Sequence, residues 1–216
     1  MAKTSNKGLI VKKVGMTRMV DADGKLVPVT LLKVENQRVT KVLTPERDGY
    51  HGYQIGYFAK AEKNLTKADM QRLRKEKIEE NFSRFKEIRT LEAVDSKFEV
   101  GFTATAELFN DESSVDVTGV TKGRGFQGAV KRWGASIGRM THGSRFHRRP
   151  GSLGQCTTPG RVYKNKHQPG HMGVVNRTVK NVRVMDVDTA NNVIAIKGSV
   201  PGHRENFLII RPTNKK

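Results

Sequence analysis

Four histidines, His142, His147, His167 and His171, lie on either side of the only cysteine, Cys156. Imidazole and thiolate hold zinc, and they pair as base and nucleophile, so residues 142–171 are where such chemistry would sit. Their spacing argues against both uses. Gln168-Pro169-Gly170 separates His167 from His171 and breaks the helix that would bring both rings onto one face. Between Val117 and Met185 there is no Asp or Glu, so nothing in the segment can complete a ligand set or orient a base. A single cysteine forms no intrachain disulfide. These residues predict no metal, no cofactor and no catalytic group. The imidazoles suit hydrogen bonding to phosphate or stacking on bases.

Gly123-Arg124-Gly125-Phe126-Gln127-Gly128 matches G-x-G-x-x-G and follows a strand-like run, which raises a dinucleotide-binding turn. That turn needs a helix packed on a parallel sheet and an acid ~20 positions further on for the ribose. Here Gly134 and Gly138 interrupt any helix, and Arg145-Phe146-His147-Arg148-Arg149-Pro150 follows with no acid. A flexible cationic backbone contact fits the same residues better.

Charge is the more informative feature. The chain carries 40 Lys and Arg against 21 Asp and Glu, a formal net charge of +19. Fourteen of those bases fall within the acid-free run 117–185, whereas the flanks mix signs as ordinary domain surfaces do. An excess of this size calls for a polyanionic partner. A membrane surface would be met by a basic amphipathic helix or a polybasic run beside a lipid anchor, and neither is present. No apolar stretch approaches the ~20 residues of a spanning helix. The N-terminal stretch offers only Leu9-Ile10-Val11 where a signal peptide needs ~7–15 apolar residues, which predicts a protein that stays in the compartment where it is made. A small-molecule substrate is not expected.

The elements that must carry this charge differ along the chain. Short runs rich in Val, Ile, Leu and Tyr at 8–14, 26–34, 38–44 and 52–58 predict strands, with a turn at Asp21-Ala22-Asp23-Gly24. Further strands are expected at 97–109, 114–120, 178–188, 193–198 and 205–211, with a turn over residues 188–192. Thr66-Lys67-Ala68-Asp69 has a capping hydroxyl three residues before an acid, and predicts one solvated surface helix over 66–80. Strands at this spacing suggest a barrel or sandwich, so the fold expected is mainly β. Residues 121–176 hold eleven glycines and no sustained apolar period. They cannot build a core, and RNA would supply both counter-charge and contact surface. Phe126, Trp133, Phe146 and Tyr163 are interspersed among the bases, as on surfaces that stack on unpaired nucleotides. Trp133 could equally anchor the segment to its parent domain.

These residues resemble a known family, that of large-subunit ribosomal protein L-three, of bacterial or organellar type. Phe109, Asp116, Gly119, Thr121, Gly123, Arg124, Gly125, Gly128 and Arg132 stand where the family signature wants Phe, an acid or Asn, a small residue, Ser or Thr, Gly, a base, Gly, Gly and Arg. KKVGMT at 12–17, HRRPGSLG at 147–154, TPGRV at 158–162, HMG at 171–173 and KGSVPG at 197–202 extend the likeness over nearly the whole chain. The resemblance implies a translation-protein-type β-barrel body over 1–120 and 177–216, and a long, irregular, Gly-rich basic extension over 121–176. It implies early binding to large-subunit ribosomal RNA, an extension directed toward the peptidyl transferase centre, and ribosomal proteins L-fourteen and L-nineteen as neighbours. The location expected is the ribosome, in the cytoplasm or in an organelle.

On this basis the candidate RNA-binding residues are Lys12, Lys13, Arg18, Lys122, Arg124, Lys131, Arg132, Trp133, Arg139, His142, Arg145, His147, Arg148, Arg149, Arg161, Lys164, Lys166, His167 and Arg177. The resemblance puts Gly154, Gln155, Cys156, Thr157 and Thr158 at the extension tip. Two positions depart from the family. Val11 replaces a frequent Gly, and Gln155-Cys156-Thr157 stands where many bacterial relatives read Gln-Asn-Gln, which removes the second glutamine, a modification site in some of them.

Overall fold

A computed structural model of the chain describes residues 7–76, 78–90, 93, 94 and 97–213. The protein is mainly β, with few and short helices. In chain order its elements are β1 (Leu9–Val20), β2 (Leu26–Lys33), β3 (Gln37–Leu43), α1 (Pro45–Asp48), β4 (Gly52–Ala59), α2 (Lys67–Lys75), β5 (Phe82–Arg89), β6 (Ser114–Val120), β7 (Phe126–Gln127), α3 (Ala129–Trp133), β8 (Gly170–His171), β9 (Asn176–Asp188), β10 (Val193–Lys197) and β11 (Phe207–Pro212). The chain divides into two compact units. One holds the residues up to Val120 and those from Asn176 onward, and the other is Thr121–Val175.

In the first unit six antiparallel strands close on themselves in the order β1-β11-β6-β9-β10-β2. Alternation along each strand sends one set of side chains inward. Leu9 and Val11 of β1, Val115 and Val117 of β6, Ile194 and Ile196 of β10, and Leu208 and Ile210 of β11 fill the interior, together with Phe109. Each such side chain contributes about 1.5–3 kcal/mol by leaving water. The turn expected over residues 188–192 is present between β9 and β10. Asp188 accepts from the Asn191 backbone N–H at 3.1 Å and from its amide at 2.7 Å, and these bonds lower the Asp188 pKa.

A second sheet, β3-β4-β5, packs on the outside of the ring through Ile10, Val39, Tyr53, Ile55, Ile88 and Phe98. One buried polar side chain joins the two. The Gln37 amide donates to the Ile10 carbonyl at 3.0 Å and accepts from the Ile10 N–H at 3.1 Å, with Gln37 only 1% exposed. Pairing of β1 with β2 begins at Lys12, so the Gln37 side chain supplies the partner that β2 would otherwise give Ile10.

Three expectations are corrected. The strand predicted over 97–109 is not formed, although Arg38 and Thr103 make an isolated bridge. Gly101 takes φ +92, a left-handed conformation that ends any extended run, and Phe98 inserts its ring against Tyr53 at 4.6 Å. A 3-10 turn at Ala106–Phe109 then carries Phe109 into the core. β5 is a strand where none was expected. Its apolar residues Phe82, Phe85 and Ile88 recur every third position, which masks the period of two that marks a strand. The helix predicted over 66–80 ends at Lys75, and Lys77 lies outside the described residues. Its start is as expected, with the Asp69 N–H donating to the Thr66 hydroxyl at 3.2 Å. It is not wholly solvated, because Leu73 is buried with Ile78 and Phe82. Among the described residues no helix is long and apolar enough to cross a membrane.

Replacing Gln37 by Leu keeps the volume but leaves the Ile10 N–H and carbonyl buried without partners. The expected loss of stability is on the order of 2–4 kcal/mol, read as a lower denaturant midpoint at unchanged slope. An unchanged midpoint would mean that water replaces the Gln37 amide at Ile10.

Candidate nucleic-acid interface

The second unit, Thr121–Val175, holds eleven Lys and Arg and no Asp or Glu, leaving 29 bases and all 21 acids to the rest of the chain. No ion pair can form within it. Its single buried residue is Ala129, while Phe126 is 76% exposed and Trp133 46%. Order within the unit therefore rests on hydrogen bonds and ring contacts.

Its two ends are tied together by backbone. The Thr121 N–H donates to the Val175 carbonyl at 3.0 Å, the Arg124 N–H to Met172 at 2.9 Å and the Met172 N–H to Gly125 at 2.9 Å. β7 and β8 continue the pairing, Phe126 opposite His171. Gly173 makes this closure possible. It takes φ +84, and a Cβ there would collide with the Lys122 carbonyl oxygen and approach the Gly123 Cα to 3.0 Å.

Beyond the paired ends, α3 delivers Arg132 and Trp133 to one carbonyl. Arg132 Nη1 and Trp133 Nε1 donate to the Gln168 carbonyl at 2.9 and 3.0 Å. The Trp133 indole stacks on His167 with centroids 4.5 Å apart and planes 7° from parallel, and the Arg132 guanidinium lies over it at 5.0 Å. The result is a flat, exposed, cationic π-surface of the kind on which bases stack. Further along, the Arg161 guanidinium covers the Tyr163 ring at 5.6 Å. His147 Nδ1 lies 3.1 Å from the Arg139 carbonyl, and the Gly138 N–H donates to the His147 carbonyl at 2.8 Å.

Apart from His147, half-buried beside the Arg139 carbonyl, the candidates named from sequence fall into three groups. Arg132, Trp133 and His167 come together in the stack. Lys122, Arg124, Lys131, Arg139, His142, Arg145, Arg148, Arg149, Arg161, Lys164 and Lys166 are exposed along the unit, as are Gly154, Gln155, Cys156, Thr157 and Thr158. Lys12, Lys13, Arg18 and Arg177 belong to the first unit. Of these, Arg18 and Arg177 are exposed, Lys12 pairs with Glu35 at 3.2 Å, and Lys13 Nζ donates to the carbonyls of Val200 and Gly202 at 3.0 and 3.2 Å. His142, His147, His167, His171 and Cys156 do not converge; among the described residues no three His, Cys, Asp or Glu side chains form a group able to hold a metal ion. Sequence reasoning missed Gln168, whose backbone carbonyl is the common acceptor. A carbonyl leaves no trace in residue type, and the neighbouring Pro169-Gly170 signalled only a break in helix.

A family model described as Ribosomal protein L3 matches residues 76–193. The chain is 44% identical over 212 residues to the large ribosomal subunit protein uL3 of Alkaliphilus metalliredigens, covering 97% of this chain and 99% of the relative. It is 44% identical over 209 residues to the uL3 proteins of Vibrio parahaemolyticus and Colwellia psychrerythraea, covering 96% of this chain and 99% and 98% of those relatives.

Substituting Ala at Gly173 forces a Cβ into the Lys122 carbonyl on a left-handed backbone, a strain of about 1–2 kcal/mol before the collision is counted. The expected outcome is faster tryptic cleavage within 121–175, with the main thermal transition of the strands unchanged. Equal cleavage rates in the variant and the parent would show that Gly173 does not hold the unit's ends together.

Proposed function

The chain belongs to the ribosomal protein L3 family, and from that premise we propose that it is a structural constituent of the large ribosomal subunit that binds large-subunit ribosomal RNA through residues 121–176. The observation carrying this reading is eleven cations without one acid in a unit that buries only Ala129. Such a unit gains little from its own packing and much from a polyanion. Cations placed between phosphates cancel the repulsion that would hold RNA segments apart, and they release condensed counterions as they do so. Arginine stacked on Trp133 or Tyr163 adds a planar surface for unpaired bases. The six-stranded ring then acts as the translation-protein-type barrel body that the family resemblance implies, and residues 121–176 as its extension.

A nucleic-acid-processing enzyme would need a carboxylate cluster for metal or acid-base work, and the basic unit contains no carboxylate. A protein-interaction module would intersperse its bases with acids, as the rest of the chain does. The protein is thus read as a scaffold without cofactor or small-molecule substrate, located in the ribosome. Early assembly, proximity to the peptidyl transferase centre and neighbours L-fourteen and L-nineteen belong to the same proposal and rest on the resemblance alone.

RNA affinity should fall steeply with salt, log affinity dropping by about 0.7–0.9 per decade of salt for each phosphate neutralised. Six to ten such contacts correspond to a loss of about a thousandfold to a hundred-thousandfold between roughly 50 and 200 mM salt. Filter binding to large-subunit RNA across that range is the measurement, and a flat response would defeat the proposal.

Residues Gly154–Thr158 are exposed, and the Ser152 hydroxyl donates to the Gly154 carbonyl at 2.9 Å. A bulky residue at Gln155 should leave folding and incorporation intact, because exposed loop positions contribute little to a core. It should nonetheless alter peptidyl transfer on purified ribosomes by displacing RNA. Cys156→Ser, which preserves the shape with a small polar side chain, should be nearly silent because no thiol reaction is involved. Loss of transfer in fully assembled Cys156→Ser subunits, with bulky Gln155 variants unaffected, would refute scaffolding at this site.

A further inference from the structure

The outer face of the ring carries an aromatic and cationic patch outside the basic unit. Tyr57 and Phe58 are consecutive on β4, and consecutive strand residues point to opposite faces. Both nevertheless meet Phe207 of β11, Tyr57 edge-on at 5.1 Å and Phe58 edge-on at 5.8 Å. The backbone explains how: Phe58 takes φ +64, a left-handed conformation that turns its ring to the side Tyr57 already faces. For a bulky residue this is a strained conformation, which Gly or Asn would relieve. Strain kept at an exposed residue points to a side chain whose position is used.

Arg84 of β5, opposite Tyr57 in the register, lays its guanidinium over Phe58 at 5.1 Å and over Phe207 at 5.6 Å. Lys86, two residues along the same face, lines a groove of about 150 Å³ with Tyr57, Phe207 and Asn176. Among the described residues neither Arg84 nor Lys86 has a carboxylate partner. The neighbouring Glu87 is occupied by the Tyr50 hydroxyl at 2.7 Å. The patch thus offers a guanidinium plane on two aromatic rings, a second free cation, and an exposed amide at Asn176 with both donor and acceptor.

We propose that Phe58, Phe207 and Arg84 form a stacking site for one unpaired RNA nucleotide, with Lys86 on its phosphate and Asn176 at the edge of its base. Charge selects the partner: uncompensated cations beside aromatic faces suit a nucleotide, whereas an apolar peptide would leave both charges buried without counter-ions. The site rests on RNA being the partner, but lies outside the basic unit Thr121–Val175.

The test uses the full-length protein and a single-stranded RNA probe of about ten nucleotides carrying 2-aminopurine, whose fluorescence is quenched by stacking. Phe58→Gly removes the ring and relieves the backbone. It should leave the unfolding midpoint equal or higher, weaken probe binding about fivefold to a hundredfold, and reduce quenching. Arg84→Gln should weaken binding and also lower the salt slope. In assembled large subunits, chemical probing should show the same few RNA nucleotides becoming reactive in both variants. Wild-type quenching and affinity in Phe58→Gly overturn the site, as does a fall in stability that accounts for the lost binding. Cross-linking of residue 58 to a protein instead of RNA overturns it too. Failure of the wild-type chain to bind RNA at all would instead defeat the functional reading on which the site rests.

Discussion

The eleven cations of residues 121–175 repel one another, and every contact that orders this unit acts against that repulsion. Two unit charges ~10 Å apart in water repel by about 0.4 kcal/mol, and salt screens this only over a comparable distance. An ordinary domain offsets such repulsion by interleaving acids and by burying apolar side chains. This unit has no acid, and Ala129 is its one buried residue. What holds it is backbone pairing at its ends, the Trp133–His167 stack and the shared carbonyl of Gln168. A surrounding polyanion replaces this repulsion with attraction, so the arrangement that is costly alone becomes favourable in a ribonucleoprotein.

The first unit is built the opposite way. Its ring interior is apolar, its second sheet is fixed through the Gln37 amide, and several of its charges are matched locally, as in Arg38–Glu80 at 2.9 Å and Lys41–Asp48 at 2.6 Å. The Lys41 bond holds the Asp48 carboxyl below the usual carboxylate range. These half-buried pairs match charge that would otherwise add to the first unit's positive field. Separation of sign along the chain therefore leaves the acid-free unit as the strongest uncompensated field.

Much of this was legible in residue types, and what was not has identifiable causes. The acid-free run, the strand pattern at β1–β4, β6 and β9–β11, the cap at Thr66 and the turn over 188–192 all follow from local chemistry. β5 was hidden because Phe82, Phe85 and Ile88 mimic a helical period. The stretch 97–109 misled because its aromatics serve as plugs for clusters built by other strands, which periodicity does not encode. The exposed cations of the candidate site could be named one by one, but the convergence of Arg132 and Trp133 on Gln168 depends on a carbonyl thirty-five residues from Trp133. Phe58 read as an ordinary strand residue; only its backbone angle sets it apart.

Arginine and lysine divide the work in a way that charge counting misses. Arg132 lies on Trp133, Arg161 on Tyr163, and Arg84 on Phe58 and Phe207, so each of these guanidinium planes has a ring that fixes its orientation before any partner arrives. Ordering a free long side chain on binding costs about 0.5–1.5 kcal/mol, and stacked arginines have already met part of that cost. Lys122, Lys131, Lys164 and Lys166 have no such support; they supply a strongly hydrated point charge that follows phosphates wherever the backbone runs. Under the proposed RNA-binding function, stacked arginines would set where bases can lie, and lysines would neutralise the chain between them. The proposed RNA scaffold would need the first kind, and arginine-on-ring contacts occur in both units.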